Sequence, residues 1–309
     1  MIDFQRLDLS NRAQYAHYLD GCGKRGCEYS FVNLFLWGRQ KAAFVGGRLA
    51  LLSQFDRRSV YPFPVGSGEL KPVLDAIIQD AKARGIPCCL TTMTREDCDE
   101  VERLYPGAFQ FHSDRDSFDY IYDINDLADL KGRKFQKKRN HLHRFEEAHP
   151  NCQALPLDAS NRTETLHFLQ NWFTARKIEN PHSDFHLEEL ALRRAFAFQE
   201  QLGLEGLVLM DEGQILAFTM GSRLDTNLFD VHFEKAREDV DGAYAAINRA
   251  FARYLRDKYP QVRYLNREDD LGLEGLRQAK LSYCPAILLE KFWARLWEDE
   301  DENTLSQSE

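Results

Sequence analysis

The chain has 309 residues, 43% hydrophobic and 29% charged, with a formal net charge of −9. That length suits two domains of roughly 150 residues each, and the composition excludes a disordered polypeptide. No run approaches the ~20 consecutive apolar residues of a membrane helix, and Asp3, Arg6 and Asp8 stand where a signal peptide needs an apolar stretch, so no transmembrane segment and a cytoplasmic location are expected.

Ala42 to Ser53 reads as a hairpin turning at Gly46-Gly47, with a strand following over Val60 to Val65. Leu70, Val73, Leu74, Ile77, Ile78 and Ala81 then keep the i, i+3, i+4, i+7 spacing of one buried face, which predicts a helix over 70–84. A strand at Pro87 to Thr91, an acidic turn Arg95-Glu96-Asp97 and an aromatic-rich strand Phe118 to Tyr122 complete the half. Cys88 and Cys89 read as small strand hydrophobes. The seven cysteines repeat no paired C-x-x-C spacing, so reduced thiols are expected and no metal site is assigned.

A boundary is expected near Asp129–Leu130, giving domains over 1–129 and 130–297 and an acidic tail over 298–309. The net charge argues against polyanion binding by the molecule as a whole, yet Leu130 to Phe145 concentrates Lys131, Arg133, Lys134, Lys137, Lys138, Arg139 and Arg144 without an acid. As a helix, this segment would carry Lys134, Lys137, Lys138 and His141 on one face, a cationic ridge suited to phosphates, or simply a solvated face. Two further helices are expected, Thr163 to Arg176, with Asn161 and Glu164 spaced as a capping box, and His186 to Gln201.

A second hairpin, Leu207 to Phe218, turns around Asp211-Glu212-Gly213 and leads to a strand over Leu228 to Glu234. Ala243, Ala246, Ile247, Ala250, Phe251 and Tyr254 stand at one fixed offset from the six apolar positions of the earlier helix, and all are apolar or aromatic. A strand at Val262 to Asn266, an acidic turn Arg267-Glu268-Asp269 and a strand at Pro285 to Glu290 repeat the order of the first half. An internal duplication follows: two α/β (α+β) domains, each a mixed β-sheet flanked by helices.

Polar residues at the carboxyl end of a strand converge on a cleft in open α/β sheets, which singles out Asn266, Arg267, Glu268 and Asp270. Glu268, or second Asp270, suits a general base, and Arg267, Lys280 and Tyr283 could hold an anionic or carbonyl group. Gly242, at the start of a helix, would let an anion approach free N–H groups, although Asp239 and Asp241 can cap that helix instead. His232 lies on the preceding strand, a position more often held by a satisfied core histidine than by a catalyst.

Lys131 to Asn140, Phe233-Glu234-Lys235-Ala236 with Gly242, and Asn266 to Gly272 followed by Gly275 to Tyr283 together resemble the family of the phosphatidylglycerol lysyltransferase C-terminal domain. The resemblance covers about residues 25 to 295. It implies two tandem acyl-CoA N-acyltransferase (GNAT) folds and transfer of an acyl or aminoacyl group to an amine or hydroxyl, with aminoacyl-tRNA or acyl-CoA as donor. Within it, Glu268, Asp270 and His232 stand as catalytic candidates, Lys134, Lys137, Lys138, Arg139 and Gly242 as binders of the donor's phosphates, tRNA among them, and Asn266, Arg267, Lys280, Tyr283 and Glu234 as substrate-binding residues. The active cleft is expected in the second domain, between the halves. The usual GNAT pyrophosphate-loop pattern is degenerate around Gly242, which points away from acyl-CoA. A degenerate, non-catalytic module binding RNA, a nucleotide or a protein is the alternative.

Overall fold

The computed structural model describes residues 1–55, 58–179 and 185–297, and the expected acidic tail lies outside them. Through the first half the elements run β1 (Gln5–Arg6), α1 (Arg12–Leu19), α2 (Phe31–Trp37), β2 (Gln40–Val45), β3 (Arg48–Phe55), β4 (Arg58–Pro62), β5 (Val65–Gly66), α3 (Leu70–Arg84), β6 (Cys89–Met93), α4 (Arg95–Leu104), β7 (Phe109–Ser113), β8 (Asp119–Asp123) and α5 (Ile124–Asp129). The second half runs α6 (Gln136–Ala148), β9 (Gln153–Pro156), α7 (Arg162–Glu179), α8 (His186–Ala197), α9 (Gln199–Leu202), β10 (Glu205–Asp211), β11 (Gln214–Arg223), β12 (Leu228–Ala236), α10 (Ala243–Lys258), β13 (Tyr264–Asn266), α11 (Glu274–Leu281), β14 (Ile287–Leu289) and β15 (Phe292–Leu296).

The first sheet is ordered β1-β2-β3-β4-β6-β15-β7, with β5 on β3, and the second β9-β10-β11-β12-β13-β8-β14. The two orders match strand for strand. Each has an antiparallel run, one parallel pair, β4 with β6 and β12 with β13, and an antiparallel finish. In each, the parallel pair is joined by a crossover helix, α3 or α10, because parallel neighbours cannot be linked by a tight turn.

The last strand of each half is exchanged. β8 follows β7 in the chain but is inserted between β13 and β14, and β15 follows β14 but is inserted between β6 and β7. The equivalence expected between Phe118–Tyr122 and Pro285–Glu290 is therefore shifted: by position in the sheet, β14 matches β7 and β15 matches β8. The same exchange moves the boundary. One compact unit is Met1–Lys24, Gly38–Phe118 and the stretch from Glu290, and the other is Arg25–Trp37 and Asp119–Leu289. The expected cut at Asp129–Leu130 falls inside the second unit, because Ile124, Leu127 and Ala128 of α5 join the core of Phe229, Ile247, Phe251 and Leu255.

Local physics explains most elements. The face expected on α3 packs Val73, Leu74, Ile77 and Ala81 against Ala50, Leu52, Tyr61 and Leu90 in the first unit. The six offset positions of α10 bury Ala243, Ala246, Ile247 and Phe251 and pack Ala250 and Tyr254 at the margin of the second core. Two expectations differ. The Asn161 side chain accepts from the Asp158 N–H and donates to the Pro156 carbonyl, so it braces the preceding turn and does not cap α7. The helix over 186–201 is two pieces, α8 and α9, separated at Phe198.

Candidate active site

β12 and β13 pair only at Leu228↔Tyr264, Phe229↔Leu265 and Asp230↔Asn266, whereas β12 continues to Ala236 against β11. Past Asp230 the β13-facing edge of β12 has no strand partner among the described residues. Past Asn266 the chain stays instead with β8, through Arg267 N–H to the Tyr120 carbonyl at 2.9 Å and Tyr120 N–H to the Glu268 carbonyl at 3.2 Å. The two chains therefore diverge into a wedge. On the other edge of β12, the register with β11 shifts between Met220, opposite Phe233, and Gly221, opposite Val231. His232 is thus the extra residue of a β-bulge, a feature that bends a strand and re-aims its side chains. In the first unit, β4 ends at Pro62, which is still paired with Thr91, and no such edge opens.

His232 and Glu268 meet in the wedge, at 3.2 Å between Nδ1 and Oε1. Ser222 Oγ lies 2.8 Å from His232 Nε2, and a carboxylate oxygen of Asp230 lies 3.5 Å from Nδ1. Because both groups facing Nδ1 are carboxylates, which only accept, the contact requires the tautomer protonated on Nδ1, whose N–H donates a hydrogen bond to Glu268 Oε1. Asn33 Nδ2, from α2, also donates to Glu268 Oε1, at 3.0 Å. Both contacts fall on Oε1, and among the described residues Oε2 forms no hydrogen bond. The Glu268 side chain keeps 18% of its surface exposed while that of His232 keeps none, so the carboxylate is the reachable end of the pair. Glu268 also holds a left-handed backbone at φ 56°, costly for a residue with a Cβ and frequent where a site imposes it.

Asp270 faces the other way. It is 0% exposed and accepts from Tyr120 Oη at 2.5 Å, from Arg277 Nε at 3.0 Å and Nη2 at 2.9 Å, and from the Gly272 N–H at 3.0 Å. Burial alone would push this carboxyl up, but the Arg277, Tyr120 and Gly272 hydrogen bonds together outweigh it and hold the group well below the usual carboxylate range. Such a group anchors the loop and is a poor base, so the expectation for Asp270 is corrected. Lys280 is corrected likewise: 8% exposed, it donates to the backbone carbonyls of Arg267 at 2.5 Å, of Glu268 at 3.2 Å and of Asp269. Burial first, then the nearby Arg267 cation, push its amine down. Asn266 is internal too, receiving the Glu268 N–H at 2.7 Å and donating to Asp119 Oδ2 at 2.9 Å. These residues shape the loop that presents Glu268.

Arg267 pairs with Glu234 on β12, Nη2 to Oε1 at 2.7 Å. Its guanidinium lies 5.0 Å from the Tyr283 ring centroid, and Lys138 Nζ lies 3.8 Å from the same centroid. These residues, widely spaced in sequence, are brought together. The rest of the basic segment is not one ridge. Lys134 pairs with Asp126 at 2.7 Å and His141 with Asp241 at 2.9 Å, while Arg139 braces the carbonyls of Leu130 and Gly132. Lys137 remains exposed.

Gly242 begins α10 at φ 81°, and a Cβ there would lie 2.3 Å from the His141 carbonyl oxygen. The glycine serves the close approach of α6 and does not open a phosphate cradle. Gly242→Ala is expected to cost at least about 2 kcal/mol, from the left-handed backbone and the clash together, read as a lowered midpoint in urea with an unchanged slope.

Asp230, His232 and Glu268 bring one donor atom each within 4.8 Å of one another, as do Cys27, Glu28 and Asp119, and these are the groupings among the described residues that could hold a metal ion. Asn33, Ser222, Asp230, Asn248 and Arg277 complete the site and were not singled out from sequence. Only Arg277 carried a signal, since it stands one helical turn into α11 from the loop it clamps.

Residues 21–295 match the family described as phosphatidylglycerol lysyltransferase, C-terminal. A conserved protein of unknown function from Bacteroides thetaiotaomicron is 37% identical, with 96% of this chain and 100% of that one covered and a TM-score of 0.90. The L-PGS of Bacillus licheniformis is 15% identical over 98% of this chain and 96% of its own, at a TM-score of 0.66, a likeness of fold. An uncharacterized protein of Mycoplasmoides gallisepticum is 26% identical over 185 residues, 58% of this chain and 56% of that protein, so this chain spans about half the length of that relative. No helix among the described residues is long and apolar enough to cross a membrane. With its two matching mixed sheets flanked by helices and the family match along most of its length, the chain belongs to the phosphatidylglycerol lysyltransferase C-terminal family.

Proposed function

We propose that the second unit is an acyltransferase or aminoacyltransferase whose general base is Glu268. The observation that carries this reading is the free Oε2 of a partly exposed carboxylate whose Oε1 is fixed by Asn33 and His232. An amine or hydroxyl acceptor in the wedge gives its proton to Oε2 as it attacks the carbonyl of an ester or thioester. The acyl bond forms, and the donor's alcohol or thiol leaves with a proton returned from the carboxylic acid. Backbone N–H groups of the bulged stretch from His232 to Glu234 supply the oxyanion donors. His232 acts as a positioning residue, held by Ser222 and aimed at Glu268.

For the donor, aminoacyl-tRNA fits better than acyl-CoA. The turn before α10 carries Asp239, bound by Arg237, and Asp241, bound by His141 and Arg144, and Gly242 is covered by α6. A pyrophosphate would meet acids where GNAT enzymes offer N–H groups. A thermal-shift screen against acyl-CoAs, nucleotides and charged tRNA tests the donor class. Charged tRNA is expected to raise the melting temperature and acyl-CoA to leave it unchanged. The reverse result would sink the assignment.

A further inference from the structure

Two buried polar atoms near the wedge lack a partner. Arg267 Nη1 and Asn248 Oδ1 are shielded from solvent and form no hydrogen bond among the described residues. Each side chain spends its other end on one carboxylate: Arg267 Nη2 on Glu234 Oε1 at 2.7 Å, Asn248 Nδ2 on Glu234 Oε2 at 3.2 Å. That shared contact fixes both orientations and leaves a donor and an acceptor on either side of Glu234. Asn248 is only 4% exposed, so its free oxygen is not an ordinary surface group. A buried polar atom without a partner is costly enough that native folds rarely keep one unless something else fills the place.

The charge beside them is unbalanced. Lys138 Nζ and the Arg267 guanidinium both rest on the Tyr283 ring, at 3.8 Å and 5.0 Å, while Glu234 is already engaged through both oxygens, by Arg267 and Asn248. Burial, and then the Arg267 cation, push the Lys138 amine down to about 8, as expected of a cation short of an anion.

We propose that this cluster binds a small molecule carrying an oxyanion, a carboxylate or a phosphate, next to a hydrogen-bond donor such as an ammonium. Arg267 Nη1 and Lys138 Nζ, the two cations resting on the Tyr283 ring, take the oxyanion, and Asn248 Oδ1 takes the donor. An apolar ligand would leave both atoms unmet, and a bare cation would be repelled. This site stands on binding geometry and holds whether or not the wedge transfers acyl groups, so binding is measured without turnover.

The test is calorimetric titration at fixed ionic strength with four probes: acetate, glycine, inorganic phosphate and O-phosphoethanolamine. The ammonium-bearing member of each pair is expected to bind more tightly than its partner. The preference between glycine and phosphoethanolamine identifies the oxyanion's source. Lys138→Gln is expected to weaken binding about tenfold, the scale of one charge-assisted hydrogen bond, whereas Lys131→Gln, on an exposed side chain, leaves it unchanged. Asn248→Ala should abolish the preference for glycine over acetate while acetate still binds, with circular dichroism confirming the fold. Absence of saturable binding by all four probes, or equal losses in the two lysine variants, overturns the proposal.

Discussion

Glu268→Gln is expected to lower turnover by about 10²-fold or more while leaving the melting temperature near wild type, since general-base catalysis typically contributes 10²–10⁴. The amide keeps an oxygen where Asn33 Nδ2 and His232 Nδ1–H donate, so the contacts at 3.0 Å and 3.2 Å survive. What it loses is the second oxygen, the one that no group among the described residues hydrogen-bonds. Its replacement, an NH₂, cannot accept a proton. Turnover and melting temperature measured on the one variant separate the two roles this side chain could have. Normal turnover with a lowered melting temperature would make Glu268 a brace of its loop and remove it from the chemistry.

Asp270→Asn should do the opposite, a large loss of stability. The carboxylate is fully buried and receives two hydrogen bonds from Arg277, one from Tyr120 and one from the Gly272 N–H. Removing one partner of a buried ion pair typically costs about 3–5 kcal/mol, which in a unit of this size lowers the melting temperature by roughly 10 °C. The pH dependence has a definite sign. The folded-state pKa is depressed, so the stabilisation is fully present above the unfolded value of about 3.9 and is lost progressively as pH falls below it. Chemical denaturation between pH 5 and pH 2 should therefore show a steeper fall in stability for wild type than for the Asn variant, which keeps only the slope of the other depressed carboxylates such as Asp80 and Glu205. Equal slopes in the two proteins would mean that Asp270 does not anchor the loop.

The hairpins and the buried faces of α3 and α10 were legible in the sequence because each is set by neighbours within a few residues: Gly46-Gly47 makes its turn and an i, i+3, i+4 stripe makes its face. The exchange of β8 and β15 was not. Strand pairing is long-range, and Asp119–Asp123 looks the same whether it closes its own sheet or the other. The wedge was half legible. Polar residues after β13 marked the right loop, but spacing could not say which of them face outward. Glu268 does, while Asp270 and Lys280 turn inward because their own partners, Tyr120, Arg277 and three backbone carbonyls, are assembled only by the fold. The basic segment shows the same limit: the helix is present, but Asp126, Asp241 and Tyr283 arrive from elsewhere in the chain and divide its cations into structural ones and a half-buried Lys138.

The most direct measurement is acyl transfer itself. Aminoacyl-tRNA carrying a radiolabelled aminoacyl group is incubated with a protein-free bacterial metabolite extract and either the wild-type protein or Glu268→Gln, and the label is followed into acylated product, with radiolabelled acetyl-CoA as the competing donor. Label should pass from the charged tRNA to a small-molecule amine or hydroxyl with the wild-type protein and about 10²-fold more slowly with the variant. Transfer at equal rates by both proteins, or none from either donor, would contradict a transferase site at Glu268.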